Sequence, residues 1–351
     1  MSLRVDIKKR YKGFTLEVCF SSGDGTLALL GASGSGKSMT LKCIAGLISP
    51  DEGVITANGR MLFDSAAGID LKPQRREVGY LFQNYALFPN MTIRQNIAVA
   101  YRGSAETRGA AVTALLARYE LEEQADKYPV QLSGGQQQRA ALARIFAYEP
   151  AVLLLDEPFS ALDTFLRENM QAELKRIIRG YDGDVVLVTH SRDEAYKIAD
   201  RLVILDDGRP VAEGTVQEVF AHPENARTAR ITGCKNISRI ERTGERSFLA
   251  LDWGIALEAA EPLSDAHTYA GIRAHDFSPL PRSAAEGKNT FAVEVVDVIE
   301  GPFEKDVIVR AIGPASVGNP NEIWWITDRS VKIDEQCAFT VRPEDILLLS
   351  E

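Results

Sequence analysis

At 351 residues the chain exceeds one ordinary domain, and two domains are the natural expectation. Apolar residues make up 45% and charged residues 25%, the balance of a globular protein that buries sizeable cores. The net charge of −9 argues against nucleic acid as the main partner. No apolar run approaches the ~20 residues that cross a bilayer, and residues 1–12 are charged and lack the apolar centre of an export signal, so any membrane role is expected to come through a partner.

Residues 1 to about 230 alternate short apolar strands with amphipathic helices, the pattern of an α/β parallel sheet. Strands are expected at 26–30, 78–82, 152–155, 185–189 and 202–205, and helices at about 37–47, 136–148, 163–179 and 192–199, with Pro150 and Gly180 ending two of the helices. A more helical, polar stretch at about 84–130 reads as an inserted subdomain. Around 221–236 the alternation stops at His222-Pro223-Glu224-Asn225, and β-rich runs at 240–253, 290–299, 307–312 and 323–326 follow. Domains of 1–230 and 231–351 are therefore expected. The segments 271–277 and 340–346 echo each other (apolar, Arg, two variable positions, Asp, apolar), which suggests two small modules at about 233–282 and 288–351. Cys19, Cys43, Cys234 and Cys337 match no metal-ligand spacing and read as buried, reduced thiols of a cytosolic protein.

Gly31-Ala32-Ser33-Gly34-Ser35-Gly36-Lys37-Ser38 fits the P-loop pattern, after a strand and opening a helix. The backbone N–H groups of Ser33, Gly34, Ser35 and Gly36 can turn onto phosphate oxygens at a helix N-terminus. Lys37 is then expected to reach the β- and γ-phosphates and Ser38 to hold Mg²⁺. Residues 151–156 form an apolar strand ending in Asp156, suited to meet Mg²⁺ through water; Glu157 follows as the general base for the attacking water. His190 and Gln83 end two further strands on the edge where open α/β sheets bind ligands. His190 can orient the water beside the γ-phosphate, and Gln83 can touch Mg²⁺ or water. Leu132-Ser133-Gly134-Gly135-Gln136 opens a second helix and makes a second anion site. If each P-loop takes one nucleotide, that site needs a γ-phosphate from elsewhere. A head-to-tail dimer with two nucleotides sandwiched supplies it.

The order of these motifs, with Leu-Leu-Leu-Asp-Glu at 153–157 and Ser160-Ala161-Leu162-Asp163, resembles an ABC-transporter ATPase over residues 1 to about 230. The resemblance implies an α/β P-loop NTPase with a helical insert that hydrolyses ATP with Mg²⁺ as a homodimer. It implies that Ser133, Gly134, Gly135 and Gln136 serve the ATP of the opposing subunit and that Asp163 communicates across the dimer. It implies that Gln83 with Leu87-Phe88-Pro89 receives a membrane permease subunit, at the cytoplasmic face of a bacterial membrane, with a substrate-binding protein acting indirectly. Tyr11 is the candidate to stack on adenine, with Phe14 as runner-up. Met39 stands where the family more often has Thr or Ser, and its backbone N–H can serve the α-phosphate.

The region 231–351 resembles the all-β regulatory domains (TOBE and Mop-like, OB-type) of bacterial importer ATPases, through Val341-Arg342-Pro343-Glu344-Asp345-Ile346 and Gly233-Cys234-Lys235-Asn236. A regulatory oxyanion in 233–351 is one expectation and plain dimerisation the other. Phe63-Asp64-Ser65, Gly68-Ile69-Asp70-Leu71 and 73–82 look most like the molybdate branch. Sulfate, sugar, polyamine and ferric-iron importers stay open as alternatives, as does a soluble, non-transport ABC ATPase.

Overall fold

The apolar runs of the first half form the middle of a six-stranded sheet. In the computed structural model, which describes residues 3–23, 25–160, 162–284, 287–312, 322–334 and 336–351, the chain divides into two units, Met1–Gln217 and Glu218–Glu351. In the first, β1 (Leu3–Tyr11) and β2 (Phe14–Ser21) form a hairpin, and β3 (Thr26–Leu30) leads to α1 (Lys37–Ala45). β4 (Glu52–Ala57), β5 (Arg60–Asp64) and β6 (Ile69–Asp70) follow, then β7 (Val78–Leu81). The helices α2 (Ile93–Ala98), α3 (Ala105–Arg118) and α4 (Gly134–Phe146) lie between β7 and β8 (Val152–Asp156). The unit continues with α5 (Thr164–Arg179), β9 (Asp184–Thr189), α6 (Arg192–Ile198), β10 (Arg201–Asp206) and β11 (Arg209–Thr215).

The central order is β11-β10-β3-β9-β8-β7, parallel except for the edge strand β11. Every residue of β3, β8 and β9 is buried, as expected of parallel strands covered on both faces. Strand alternation sends Leu153, Leu155, Val185 and Leu187 into a core shared with the helices. Val152, Leu154, Val186 and Val188 go into a second core with α1 and the outer strands. Because the strands are parallel, the ends of β3, β7, β8 and β9 share one edge. That edge carries the P-loop, Gln83, Asp156 with Glu157, and His190.

A second sheet, β2-β1-β4-β5-β6, was not expected from the α/β alternation. Its strands alternate buried Leu3, Val5 and Ile7 with the exposed Arg4 and Asp6, a half-solvated antiparallel pattern rather than an apolar run. The same alternation corrects one cysteine: Cys19 faces outward between Val18 and Phe20, whereas Cys43, Cys234 and Cys337 are buried. Burial pushes the Cys43 thiol up to about 12.

In the second unit, α7 (Val216–Ala221), which straddles the division, is followed by α8 (Ala226–Ile231). The division falls upstream of the expected 230/231. The N–H of Ala226 bonds the carbonyl of Ser350, and Ala229, Cys234 and Leu349 pack together, so α8 belongs with the β-rich unit. The strands are β12 (Asn236–Arg242), β13 (Ser247–Ala250), β14 (Ile255–Glu258), β15 (Tyr269–Ile272), β16 (Ser278–Leu280), β17 (Thr290–Glu300), β18 (Glu304–Ile312), β19 (Ile323–Asp328), β20 (Gln336–Thr340) and β21 (Ile346–Leu349). They form two sheets, β14-β13-β12-β15-β21 and β16-β20-β17-β18-β19. These do not follow the consecutive modules 233–282 and 288–351. β21 returns to pair with β15, β16 crosses to pair with β20, and one core containing Phe248, Trp253, Phe277, Phe291, Trp325 and Phe339 spans both sheets. The two echoed arginines also diverge: Arg273 bonds the carbonyls of Thr232 and Phe220, while Arg342 pairs with Asp345 three residues on. No helix among the described residues is long and apolar enough to cross a membrane.

Candidate active site

The loop between β3 and α1 is shaped by glycines. Gly34 (φ 84°) and Gly36 (φ 100°) take the left-handed conformation. A Cβ on Gly36 would stand 2.6 Å from Leu16 Cδ1 and 3.3 Å from Phe14 Cζ, so this glycine also permits close packing on the β1–β2 hairpin. Lys37 is buried, and its ammonium donates to the carbonyls of Gly31 (2.9 Å) and Ala32 (2.8 Å), with Ser35 Oγ at 3.5 Å. Burial lowers its pKa, an effect opposed by the charges of Glu157 and Asp156. Among the described residues its hydrogen-bond partners are all neutral, so the cation is suited to meet an anion. Ser33 and Gly34 are exposed at the loop's outer face, and Ser35 is buried. Met39 packs its side chain against the core, leaving its N–H on the first turn of α1.

Asp156 ends β8 beside this loop. Its Oδ1 accepts the Ser38 hydroxyl at 2.7 Å, and its Oδ2 accepts the Tyr80 hydroxyl at 2.7 Å. Burial first, then the negative charge of Asp156, push the Tyr80 phenol well above its ordinary value, so it stays a donor at neutral pH. Glu157 adopts φ 45°, left-handed and unusual for a residue with a Cβ. It is held by its N–H on the Val188 carbonyl (3.0 Å) and by its own carbonyl, which accepts the N–H (3.2 Å) and hydroxyl (2.9 Å) of Ser160. His190 Nδ1 lies 3.2 Å from Glu157 Oε1. The structure thus brings Lys37, Ser38, Asp156, Glu157 and His190 to one sheet edge.

Gln83 is exposed just beyond β7. The chain turns there through two successive left-handed residues, Tyr85 (φ 59°) and Ala86 (φ 44°). Their carbonyls accept the Arg144 guanidinium at 3.1 and 2.7 Å. Asn96 fixes the following turn by bonds to both backbone groups of Phe88 and to the carbonyls of Met91 and Thr92. Phe88 remains 45% exposed on this braced loop, with Arg144 over its ring.

Ser133 caps α4. Its Oγ accepts the Gln136 N–H while the Gln136 side chain accepts the Ser133 N–H. Gly134 and Gly135 lie against α5 and its lead-in; a Cβ on Gly135 would stand 3.1 Å from Met170 Sδ, and one on Gly134 3.0 Å from Leu162 Cδ2. Asp163 caps α5 through the Leu166 N–H (2.9 Å) and is otherwise exposed. Ala161, within the same motif, lies outside the described residues. Among the described residues, no hydrogen bond of Ser133 through Gln136 reaches the P-loop of the same chain. Tyr11 sits at the end of its hairpin, 42% exposed with Lys9 over its ring, whereas Phe14 packs on Gly36 and Gly208.

Sequence patterns alone missed Tyr80 and Arg144. Tyr80 was visible only as one apolar member of a strand, and Arg144 as one polar position on an amphipathic helix.

Comparison with known proteins places this edge in context. The family model described as ABC transporter matches residues 16–160. The sulfate/thiosulfate import ATP-binding protein CysA 2 of Chromobacterium violaceum is 41% identical over 78% of this chain and 74% of its own length. The chain belongs to the ABC transporter family. The molybdenum import ATP-binding protein ModC of Paramagnetospirillum magneticum is 38% identical over 63% of this chain and 61% of its own. A solved ATP-binding cassette, MJ0796, described as dimeric and in a post-hydrolysis state with ADP and Pi, superposes with a TM-score of 0.52 at 31% identity, over 62% of this chain and 99% of that one. The first unit is accordingly an ABC-type ATPase, and the all-β second unit is consistent with a regulatory domain.

Proposed function

We propose that this ABC chain is the ATP-hydrolysing, energy-coupling subunit of an import system, acting as a homodimer on membrane permease subunits at the cytoplasmic face. The observation that carries the hydrolytic part is the buried Lys37 ammonium, which among the described residues donates to neutral acceptors alone, at the sheet edge that also bears Asp156, Glu157 and His190. Lys37 binds the β- and γ-phosphates, and the loop N–H groups orient them. Glu157 polarises the attacking water, and His190, beside it, holds that water and the γ-phosphate in line. Ser133 through Gln136 of the second copy present a capped helix end to the γ-phosphate, and Asp163 faces the same interface. Tyr11 serves as the adenine platform, with Phe14 as the alternative.

Ser38 and Asp156 fit Mg²⁺: they are hard oxygen ligands, and the Ser38 hydroxyl donates its hydrogen bond to Asp156, which leaves the lone pairs of the hydroxyl for a cation. When bound, Mg²⁺ neutralises charge on the β- and γ-phosphates. Gln83 stands ready to touch the same shell, and the braced turn carrying Phe88 offers the permease an apolar contact on a rigid loop.

For cargo we propose a tetrahedral oxyanion of the molybdate or tungstate type, delivered by a substrate-binding protein. The 41% relative named for sulfate and thiosulfate favours sulfate as the second reading. The β-rich unit is proposed to sense such an oxyanion, with dimerisation as the alternative.

The hydrolytic proposal is tested with Lys37→Ala. Mg²⁺-dependent phosphate release and ATP affinity both fall in the variant, and a chelator abolishes release by the native chain. Unchanged release in the variant contradicts the site.

A further inference from the structure

Asp156 is held by two hydroxyls, and only one of them belongs to the P-loop. Tyr80 pairs with Leu154 across the β7–β8 ladder, and Asp156 is the next residue of β8 on the same face as Leu154. The phenol on β7 reaches two residues further along β8, where its oxygen meets Asp156 Oδ2 at 2.7 Å. The ring is steadied by Phe82, two residues on and just past the end of β7, with centroids 4.2 Å apart. Ser38 takes the opposite oxygen, Oδ1, also at 2.7 Å. With one donor on each oxygen, rotation of the carboxylate about its Cβ–Cγ bond is arrested.

We infer that Tyr80 is a positioning residue for the divalent cation: by holding Asp156 Oδ2 it fixes Oδ1 toward Ser38 and the cation's shell, and so sets metal affinity in the ATP complex. Groups that orient a metal-binding carboxylate without touching the metal affect affinity strongly. The position adds a consequence. Tyr80 lies three residues before Gln83 on the strand that enters the braced 83–89 loop, so the same short segment governs the carboxylate and the proposed permease contact.

The inference rests on the proposed metal role of Asp156, and the test separates the two. Full-length chain is titrated with Mn²⁺ in the presence of a non-hydrolysable ATP analogue, and free Mn²⁺ is read by electron paramagnetic resonance. Nucleotide affinity in chelator and the melting temperature are measured alongside. Tyr80→Phe keeps the ring and removes the hydroxyl; it is expected to raise the Mn²⁺ dissociation constant about tenfold, with metal-free nucleotide affinity and melting temperature unchanged. Tyr80→Met serves as a second hydroxyl-free variant. Unchanged Mn²⁺ affinity in either variant overturns the inference. A parallel loss of metal-free nucleotide binding and thermal stability, or failure of both variants to fold, also overturns it by making the hydroxyl structural. Asp156→Asn is the control: if it leaves Mn²⁺ affinity intact, the metal reading of Asp156 fails, whatever Tyr80 does.

Discussion

Glu157 occupies a backbone conformation that costs an L-residue about 1 kcal/mol, and it is retained because the Val188 carbonyl and Ser160 tie it from both sides. Such strain concentrates at functional positions. Here it turns the side chain out of the β8 direction toward His190, while its neighbour Asp156 stays with Ser38 and Tyr80. Two adjacent carboxylates thereby acquire different partners. Glu157→Gln keeps the shape and removes the proposed base. ATP affinity is expected to stay close to native, and phosphate release at saturating ATP to fall by about 10²-fold or more. Release near the native rate would remove Glu157 from the chemistry. At this scale the sequence was highly legible where function is written in contiguous motifs, as at 31–38, 132–136 and 153–157. It was silent on Tyr80 with Asp156 and on Arg144 with Tyr85 and Ala86. Those pairs depend on sheet register and helix packing across long chain separations, which no local pattern encodes.

At the scale of elements, the P-loop helix α1 is anchored at the end away from the phosphates. Its last turn closes at Gly46 (φ 76°), and the buried Arg76 guanidinium donates to the carbonyls of Cys43 and Ile44, to that of Leu71, and to Asp70. A Cβ on Gly46 would stand 2.5 Å from Arg76 Nε, so the two residues require each other. Burial lowers the Arg76 pKa and Asp70 opposes that shift, but a guanidinium remains charged, and it serves three carbonyls at once, of which that of Cys43 also accepts the Gly46 N–H. Arg76→Leu is expected to destabilise the chain by about 3 kcal/mol, read as a lowered denaturation midpoint, with ATP affinity reduced through loss of α1 order. An unchanged midpoint would show that the carbonyls find other donors. The central strands β3, β8 and β9 were legible because continuous apolar runs have few other uses. The outer sheet was not, because Leu3, Val5 and Ile7 are interleaved with charge and pair with partners from β2 and β4 that only the fold brings near.

At the scale of the whole molecule, the break near 221–236 announced a second unit, and its β content was evident from the Gly- and Pro-punctuated runs. Its pairing was not. The return of β21 to β15 and the crossing of β16 to β20 join residues 74 to 80 and about 60 positions apart, distances at which loop closure and core packing decide, not local propensity. The same limit applies beyond one chain. Ser133 through Gln136 form a capped helix end with no hydrogen bond, among the described residues, to the chain's own P-loop, and the solved relative MJ0796 is described as dimeric. We propose that each ATP is completed by two copies. Mixing Ser133→Arg chains, impaired at the capped helix end, with Lys37→Ala chains, impaired at the P-loop, tests it most directly. Each variant alone is expected to be nearly inactive. The mixture is expected to recover ATP hydrolysis well above either, because a mixed dimer holds one site with both halves intact. A mixture no more active than the better of the two variants would contradict the shared site.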